Sequence, residues 1–169
     1  MLEVGKAGSA GVDKKSIPVL RDGVAVATLR ASSWKEAATA VVGGREWVFT
    51  KAGRELSARL PAESEGAVRL RAWQKSFWSS AWSAELDGTA VEVQSVSFWK
   101  TSHRYLVDGR QVAQSGSTGG WSPRPTLTAD DSVPLDHQVF LLWLELVISR
   151  RNTAAIGAAT TAAVIGGST

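Results

Sequence analysis

The stretch Val139-Phe-Leu-Leu-Trp-Leu-Glu-Leu-Val-Ile148 contains one polar residue, Glu145, in an otherwise apolar run. Pro134 suits the first turn of a helix, and Asp136 favours its positive N-terminal end. The sequence therefore predicts a helix over about residues 133–150. Such a helix is hydrophobic nearly all round, so protein or lipid has to surround it.

Length favours enclosure of this helix by protein. The uninterrupted apolar run is about 10 residues, whereas a membrane span needs about 20. We expect the segment 139–148 to be a central helix whose core residues contact inward side chains from opposite walls. These core residues are Phe140, Trp143, Leu144 and Val147.

Upstream of the helix, short segments rich in Val, Trp, Phe, Leu and Thr alternate with residues that favour hairpin turns. Such turn residues supply the positive φ of a tight hairpin. Between Ile17 and Leu127 we expect ten to twelve strands, with Pro61–Gly66 as a longer connection. The turn pairs are Asp22-Gly23, Gly43-Gly44, Ala52-Gly53, Asp87-Gly88 and Asp108-Gly109.

One strand shows a change of phase in its alternation. Val91 and Val93 set one face of a strand, and Val96 and Phe98 take up the other. A β-bulge near Gln94 and Ser95 would restore the pattern, so the sequence predicts one there.

These patterns predict a mainly β protein, a closed antiparallel barrel of about twelve strands around a central hydrophobic C-terminal helix. Such a barrel has a backbone radius of roughly 12 Å, which leaves room for a helix and one layer of side chains. The predicted organisation is a flexible N-terminal segment (1–15), the barrel with its helix (16–152), and an Ala/Gly-rich tail (153–169).

The tail is the one segment that could favour a membrane span. Thr153–Thr169 is almost wholly Ala, Gly, Thr, Ile and Val, but Arg150, Arg151 and Asn152 separate it from the apolar helix. Charge is costly at the middle of a bilayer, so this interruption disfavours a single long span.

Composition excludes several classes of protein. The chain has 169 residues, a formal net charge of +3 and no cysteine, so thiol nucleophiles, thiolate metal sites and disulfides are excluded. The charge bias is too mild to predict nucleic acid as a partner. Eight Trp residues are spread from Trp34 to Trp143 and are not clustered among basic residues in the sequence, so we interpret most as core anchors. The N-terminus does not look like a signal peptide, which predicts a cytoplasmic location, with peripheral membrane association left open.

A family likeness is carried by the strand order and by two stretches of sequence. These are the hairpin in Leu106-Val-Asp-Gly-Arg-Gln-Val-Ala113 and the segment Val133-Pro-Leu-Asp-His-Gln-Val-Phe-Leu-Leu-Trp-Leu-Glu-Leu146. The chain resembles the tubby C-terminal-like superfamily over about residues 17–150, nearest to LURP-one-related and phospholipid-scramblase-like proteins. The resemblance implies a twelve-stranded barrel threaded by a hydrophobic helix, and binding or movement of lipid. The acidic calcium segment of scramblases is missing, and the chain is too short for a full tubby domain, so phosphoinositide specificity does not carry over.

No catalytic constellation is recognisable in the sequence, so we predict no enzyme, no catalytic residue, no cofactor and no metal. His103 falls in a turn-like segment and His137 in the first helical turn. A zinc site would need Asp130, Asp131 or Asp136 to converge on His137, and helix capping and dipole matching explain the same residues. A cleft that gathers His103, Glu145 or His137 with a second titratable group would favour an enzyme.

Glu145 is the most unusual charge in the chain. A buried acid is either a structural anchor or a functional group, and buried charges are normally paired. We expect an Arg or a Trp indole from the barrel wall to reach it.

Basic residues between positions 45 and 75 form a candidate surface for anionic headgroups, although interleaved acids make a solvated outer face an alternative. The candidate ligand-binding residues are Arg54, Arg59, Arg69, Arg71 and Lys75. Two hypotheses follow. The first is a non-catalytic module that binds phospholipid or another anionic or amphipathic ligand. The second is a structural or interaction protein whose barrel surface and tail dock on a protein partner or a membrane.

Overall fold

The computed structural model describes residues 1–31, 38–76, 81–96 and 102–165. Its strands form a closed barrel in which each strand pairs antiparallel with its neighbours in the chain, and β1 pairs with β12. The predicted fold class is thereby confirmed. The elements in the described residues are β1 (Leu2–Val4), β2 (Ile17–Arg21), β3 (Val24–Ala31), β4 (Ala38–Val42), β5 (Arg45–Ala52), β6 (Glu55–Arg59), β7 (Leu70–Gln74), β8 (Trp82–Leu86), β9 (Thr89–Ser95), β10 (His103–Val107), β11 (Arg110–Ser117), β12 (Pro125–Ala129) and α1 (Leu135–Ile165).

Strand β1 lies within residues 1–15, which the sequence had indicated to be a flexible segment. Leu2 pairs with Arg21 on one side and with Leu127 on the other, so this short strand joins the two ends of the sheet. Leu2 and Val4 are 1% and 3% exposed. Closure removes the open edges of β2 and β12, and that pairing gives an isolated three-residue strand its stability.

The predicted hairpin turns connect strands in this barrel. Asp87 and Gly88 both adopt positive φ, 46° and 80°, and Asp108 and Gly109 do the same at 50° and 76°. Two consecutive positive φ angles define the type I′ turn, whose twist matches that of the flanking strands.

The β-bulge predicted near Gln94 and Ser95 is wrong. Strand β9 pairs with β10 in continuous register through these residues and ends at Ser95. Val96 follows the strand and is 37% exposed, so no bulge is needed to turn its side chain into the barrel. Phe98 lies outside the described residues. Register shifts occur between Val19 and Leu20 and between Tyr105 and Leu106.

The first half of α1 lies inside the barrel, as predicted. Every residue from Val139 to Ile148 is buried. Phe49 of β5 packs edge-on against Phe140 at a centroid distance of 5.6 Å, and its ring is tilted against that of Trp143 at 5.0 Å. Small inward residues give the helix space in the wall. They are Ala40, Ala58, Ala72 and Ala84, each at most 1% exposed.

Helix α1 is longer than the sequence predicted, because its backbone continues to Ile165 and takes in most of the proposed tail. Alanine-rich sequence without proline favours this continuation. Exposure rises at Arg150, Asn152 and Thr153, where the helix leaves the barrel. Among the described residues, no helix combines the length and apolar character needed to cross a bilayer.

Alternating strand direction gives the barrel two ends. One end, which we call the helix-start end, carries the connections β2–β3, β4–β5, β6–β7, β8–β9, β10–β11 and β12–α1. We call the opposite end the helix-exit end. At the helix-start end, His137 Nε2 lies 2.9 Å from Asp87 Oδ2. At the helix-exit end, the Arg151 guanidinium lies 5.2 Å from the ring centroid of Trp82. These contacts fix the direction in which the helix threads the barrel.

Candidate functional site

Glu145 is the centre of a polar cluster in the barrel interior. His103 Nδ1 lies 2.9 Å from Glu145 Oε1 and 3.1 Å from Oε2, and the Tyr105 hydroxyl donates a hydrogen bond to Oε1. Glu145, His103 and Tyr105 are 2%, 6% and 0% exposed. The Glu145 carboxylate thus forms hydrogen bonds with two side chains of the barrel wall in a site closed to solvent.

Strand geometry brings these partners together. His103 and Tyr105 are two positions apart on β10, so both point inward while Arg104 between them points out. The His103 backbone N–H donates to Ser115 Oγ on β11 at 2.7 Å, which holds the start of β10. His103 therefore lies in a strand, and the prediction of a turn-like segment is wrong. The Glu145 carboxylate is paired with a histidine and a tyrosine, where we had expected an arginine or a tryptophan.

The electrostatics of the cluster favour a neutral phenol. Burial raises the pKa of Tyr105 well above its ordinary value of 10.0, and the nearby Glu145 carboxylate raises it further. A neutral Tyr105 keeps the proton that it donates to Glu145. Tyr105 therefore remains a hydrogen-bond donor to Glu145 across the neutral pH range.

The cluster brings Glu145 together with a second titratable group, the arrangement that would favour an enzyme. Access limits its chemistry, because none of its three residues is more than 6% exposed. A groove of about 440 Å³ lies along β11 and β12, between Gln111 and Asp130, and Glu145, His103 and Tyr105 do not line it. A substrate could reach the carboxylate only if the barrel wall moved, so the cluster is suited to anchoring the helix.

His137 serves as a second anchor of the helix. Its ring contacts Asp87 in the β8–β9 turn, and the neighbouring Gln138 accepts a hydrogen bond from Arg21 at the end of β2, at 3.3 Å. In the part of the chain that the structure describes, no group of three or more His, Asp or Glu residues could hold a metal ion.

The structure divides the predicted basic surface between the two ends of the barrel. Arg59, Arg69 and Arg71 lie toward the helix-start end, whereas Arg54 and Lys75 lie at the helix-exit end. Arg69 forms a 2.6 Å ion pair with Glu63, and Arg71 lies 3.5 Å from Glu85. The Arg69 hydrogen bond lowers the pKa of Glu63, so this pair neutralises itself. The five residues do not form one patch.

Sorting by topology shows a strong segregation of charge. We consider charged residues in the described connections, in the terminal two residues of each strand, and at both ends of the buried helix segment; Glu3, the middle residue of β1, is counted once, at the helix-exit end. At the helix-exit end, eleven basic residues face three acidic ones: Lys6, Lys14, Lys15, Arg30, Lys51, Arg54, Lys75, Arg104, Arg124, Arg150 and Arg151 against Glu3, Asp13 and Glu55. At the helix-start end, six basic residues face ten acidic ones: Arg21, Arg45, Arg59, Arg69, Arg71 and Arg110 against Asp22, Glu46, Glu63, Glu65, Glu85, Asp87, Asp108, Asp130, Asp131 and Asp136.

Sequence reasoning missed this segregation because the basic residues are far apart along the chain. It also missed Trp121, a fully exposed indole in the β11–β12 connection at the helix-exit end. A signal was present, since every second connection between antiparallel strands lies at the same end. Grouping alternate connections before summing charges would have found the basic end.

Comparisons with known proteins add no assignment. The chain matches no protein-family model, no curated protein and no solved structure.

Proposed function

We propose that this protein is a non-catalytic binding module that docks on anionic phospholipid surfaces through the helix-exit end of its barrel. The observation that carries the proposal is the charge segregation: among the described residues at that end, eleven are basic and three are acidic. Basic residues near an anionic membrane contribute about 1 kcal/mol each. The acidic majority at the opposite end would orient the molecule as it approaches.

Several of these side chains are available to a flat surface. Lys14 and Lys15 are exposed in the β1–β2 connection, and Arg150 is exposed where α1 leaves the barrel. Asp13 in the same connection pairs with Arg30 at 2.6 Å, so one of the few acids at this end is already neutralised. The remaining positive charge is distributed over the rim and favours an extended anionic ligand over a small one.

The test is co-sedimentation with phosphatidylcholine vesicles with and without phosphatidylserine. Lys14→Glu combined with Lys15→Glu should weaken binding to the anionic vesicles roughly tenfold to hundredfold, at about 1 kcal/mol per residue. The matched control, Arg45→Glu combined with Arg110→Glu, reverses two exposed charges at the helix-start end. Both double variants change the formal net charge from +3 to −1.

The control should keep most of the binding, because its reversed charges face away from the bilayer. Equal losses in the two double variants would mean that net charge alone decides binding and would contradict the proposal. Failure of the unaltered protein to bind anionic vesicles at low salt would also contradict it, and would favour an interaction protein that docks on a protein partner.

A further inference from the structure

An exposed tryptophan lies at the end of the barrel that carries the positive charge. Trp121 is fully exposed in the described connection between β11 and β12.

Helix α1 leaves the barrel at this same end. From Thr153 to Ile165 its sequence has no charged residue, and its backbone is helical throughout. At 1.5 Å per residue this part is about 20 Å long. One leaflet contributes about 15 Å of hydrocarbon, half of the core of a bilayer. This part of the helix is therefore long enough to enter one leaflet.

From these observations we infer that the protein inserts into the facing leaflet, with Trp121 at the interface and residues 153–165 among the acyl chains. This inference rests on the proposed function, because the basic rim would bring the end to the surface. Tryptophan is favoured at the boundary between headgroups and hydrocarbon. Arg150 and Arg151, at the base of the protruding helix, would lie at the level of the phosphates.

A bilayer is the occupant that the combination of features favours. Basic residues beside aromatic side chains are also typical of proteins that bind single-stranded nucleic acid. An uncharged helix of Ala, Ile, Val, Gly and Thr gains nothing from a phosphate backbone, whereas it gains from burial in hydrocarbon. The inference therefore commits to an anionic lipid bilayer.

The absence of cysteine makes a site-specific probe straightforward. Ser122→Cys, labelled with an environment-sensitive NBD fluorophore, places a probe beside Trp121 and leaves that tryptophan intact. Glu65→Cys, exposed in the β6–β7 connection at the helix-start end, is the matched control. With anionic vesicles, the Ser122 probe should brighten, shift to the blue and be quenched by lipids brominated near the headgroup. The Glu65 probe should not respond.

Salt separates insertion from surface attraction. Raising the ionic strength to about 1 M shortens the Debye length to about 3 Å and weakens attraction between charges. At this ionic strength the unaltered chain should keep measurable binding to the vesicles. The affinities of Trp121→Ser and of Ile156→Asp should each be about tenfold lower than that of the unaltered chain.

The failure of this inference is distinguishable from that of the proposed function. Binding to anionic vesicles with a Ser122 probe that stays in water, and complete loss of binding in high salt, would overturn insertion and leave electrostatic docking in place. Absence of binding in low salt would overturn both. A single-stranded oligonucleotide provides a further test. The inference would also be overturned if the oligonucleotide displaced the bound protein from vesicles and changed the fluorescence of the Ser122 probe in the absence of lipid.

Discussion

The two sides of the central helix meet the barrel wall in different ways. Trp143 packs with Phe140 against Phe49 of β5, whereas Glu145 faces His103 and Tyr105 of β10. Residues two positions apart lie about 200° apart around a helix, so Trp143 and Glu145 project to opposite walls. Packing of rings tolerates small rotations, whereas hydrogen bonds depend on direction. The aromatic side therefore supplies stability, and the polar side fixes the rotation and depth of the helix.

The aromatic side should give the largest effect. Trp143→Ala removes a fully buried ring that contacts Phe49 and Phe140, and such truncations cost about 3–5 kcal/mol. Single domains are stable by only about 5–15 kcal/mol. Urea unfolding should show a large fall in the midpoint, or expression should become insoluble. Trp121→Ala is the matched control, because its indole is fully exposed, and it should unfold like the unaltered chain. A Trp143→Ala variant as stable as the control would contradict the assignment of this contact.

The polar side should show an intermediate effect that a second change can reverse. Glu145→Leu removes the acceptor shared by Tyr105 and His103, and a buried donor left without a partner costs about 1–3 kcal/mol. The triple variant Glu145→Leu, His103→Leu, Tyr105→Phe removes the donors as well. Replacement of a whole buried polar group by apolar residues is often neutral, so the triple variant should be more stable than Glu145→Leu in urea unfolding. A triple variant less stable than Glu145→Leu would mean that the three polar side chains contribute to the free energy of unfolding beyond satisfying one another's hydrogen bonds.

The smallest effect concerns the pH dependence of Tyr105, the single tyrosine of the chain. Burial and the Glu145 carboxylate raise its folded-state pKa above the ordinary value of 10.0, so the folded state holds the phenol proton more tightly. The contribution of this group to stability is therefore fully present below pH 10.0, and it is lost as the pH rises from there toward the folded-state pKa. Absorbance at 295 nm should therefore report tyrosinate only as the protein unfolds.

Tyr105→Phe serves as the control for this pH dependence. It should cost about 1–2 kcal/mol at neutral pH, the value of a hydrogen bond to a charged group. Its stability should fall less steeply above pH 10.0 than that of the unaltered chain. Reversible appearance of tyrosinate near pH 10.0 in the folded protein would mean that the phenol is not enclosed with Glu145.

Much of the fold could be predicted because local rules act over a few residues. Asp87-Gly88 and Asp108-Gly109 adopt the turn that their sequence favours, and the apolar run from Val139 to Ile148 is buried as its composition required. The sequence did not predict the strand at Leu2, because the stability of β1 comes from pairing with β2 and β12. A strand of three residues carries too little pattern to be recognised without its neighbours.

For the candidate site, the sequence identified Glu145 as an unusual acid but not its partners. His103 and Tyr105 are about forty positions away along the chain, and only barrel closure around α1 brings them within hydrogen-bonding distance. The proposed basic surface shows the same limit, because Arg69 and Lys75 are close in sequence yet lie at opposite ends of β7.

By itself the sequence determined the strand-forming segments, the tight turns, the enclosed helix and the presence of one acid within it, since each follows from backbone preferences and the avoidance of water by apolar side chains. Only the tertiary structure decided that Glu145 meets a histidine and a tyrosine, and that dispersed lysines and arginines gather at the end where α1 leaves the barrel. The physical reason is that antiparallel strands return the chain to the same end at every second connection, so position along the sequence does not measure distance in space.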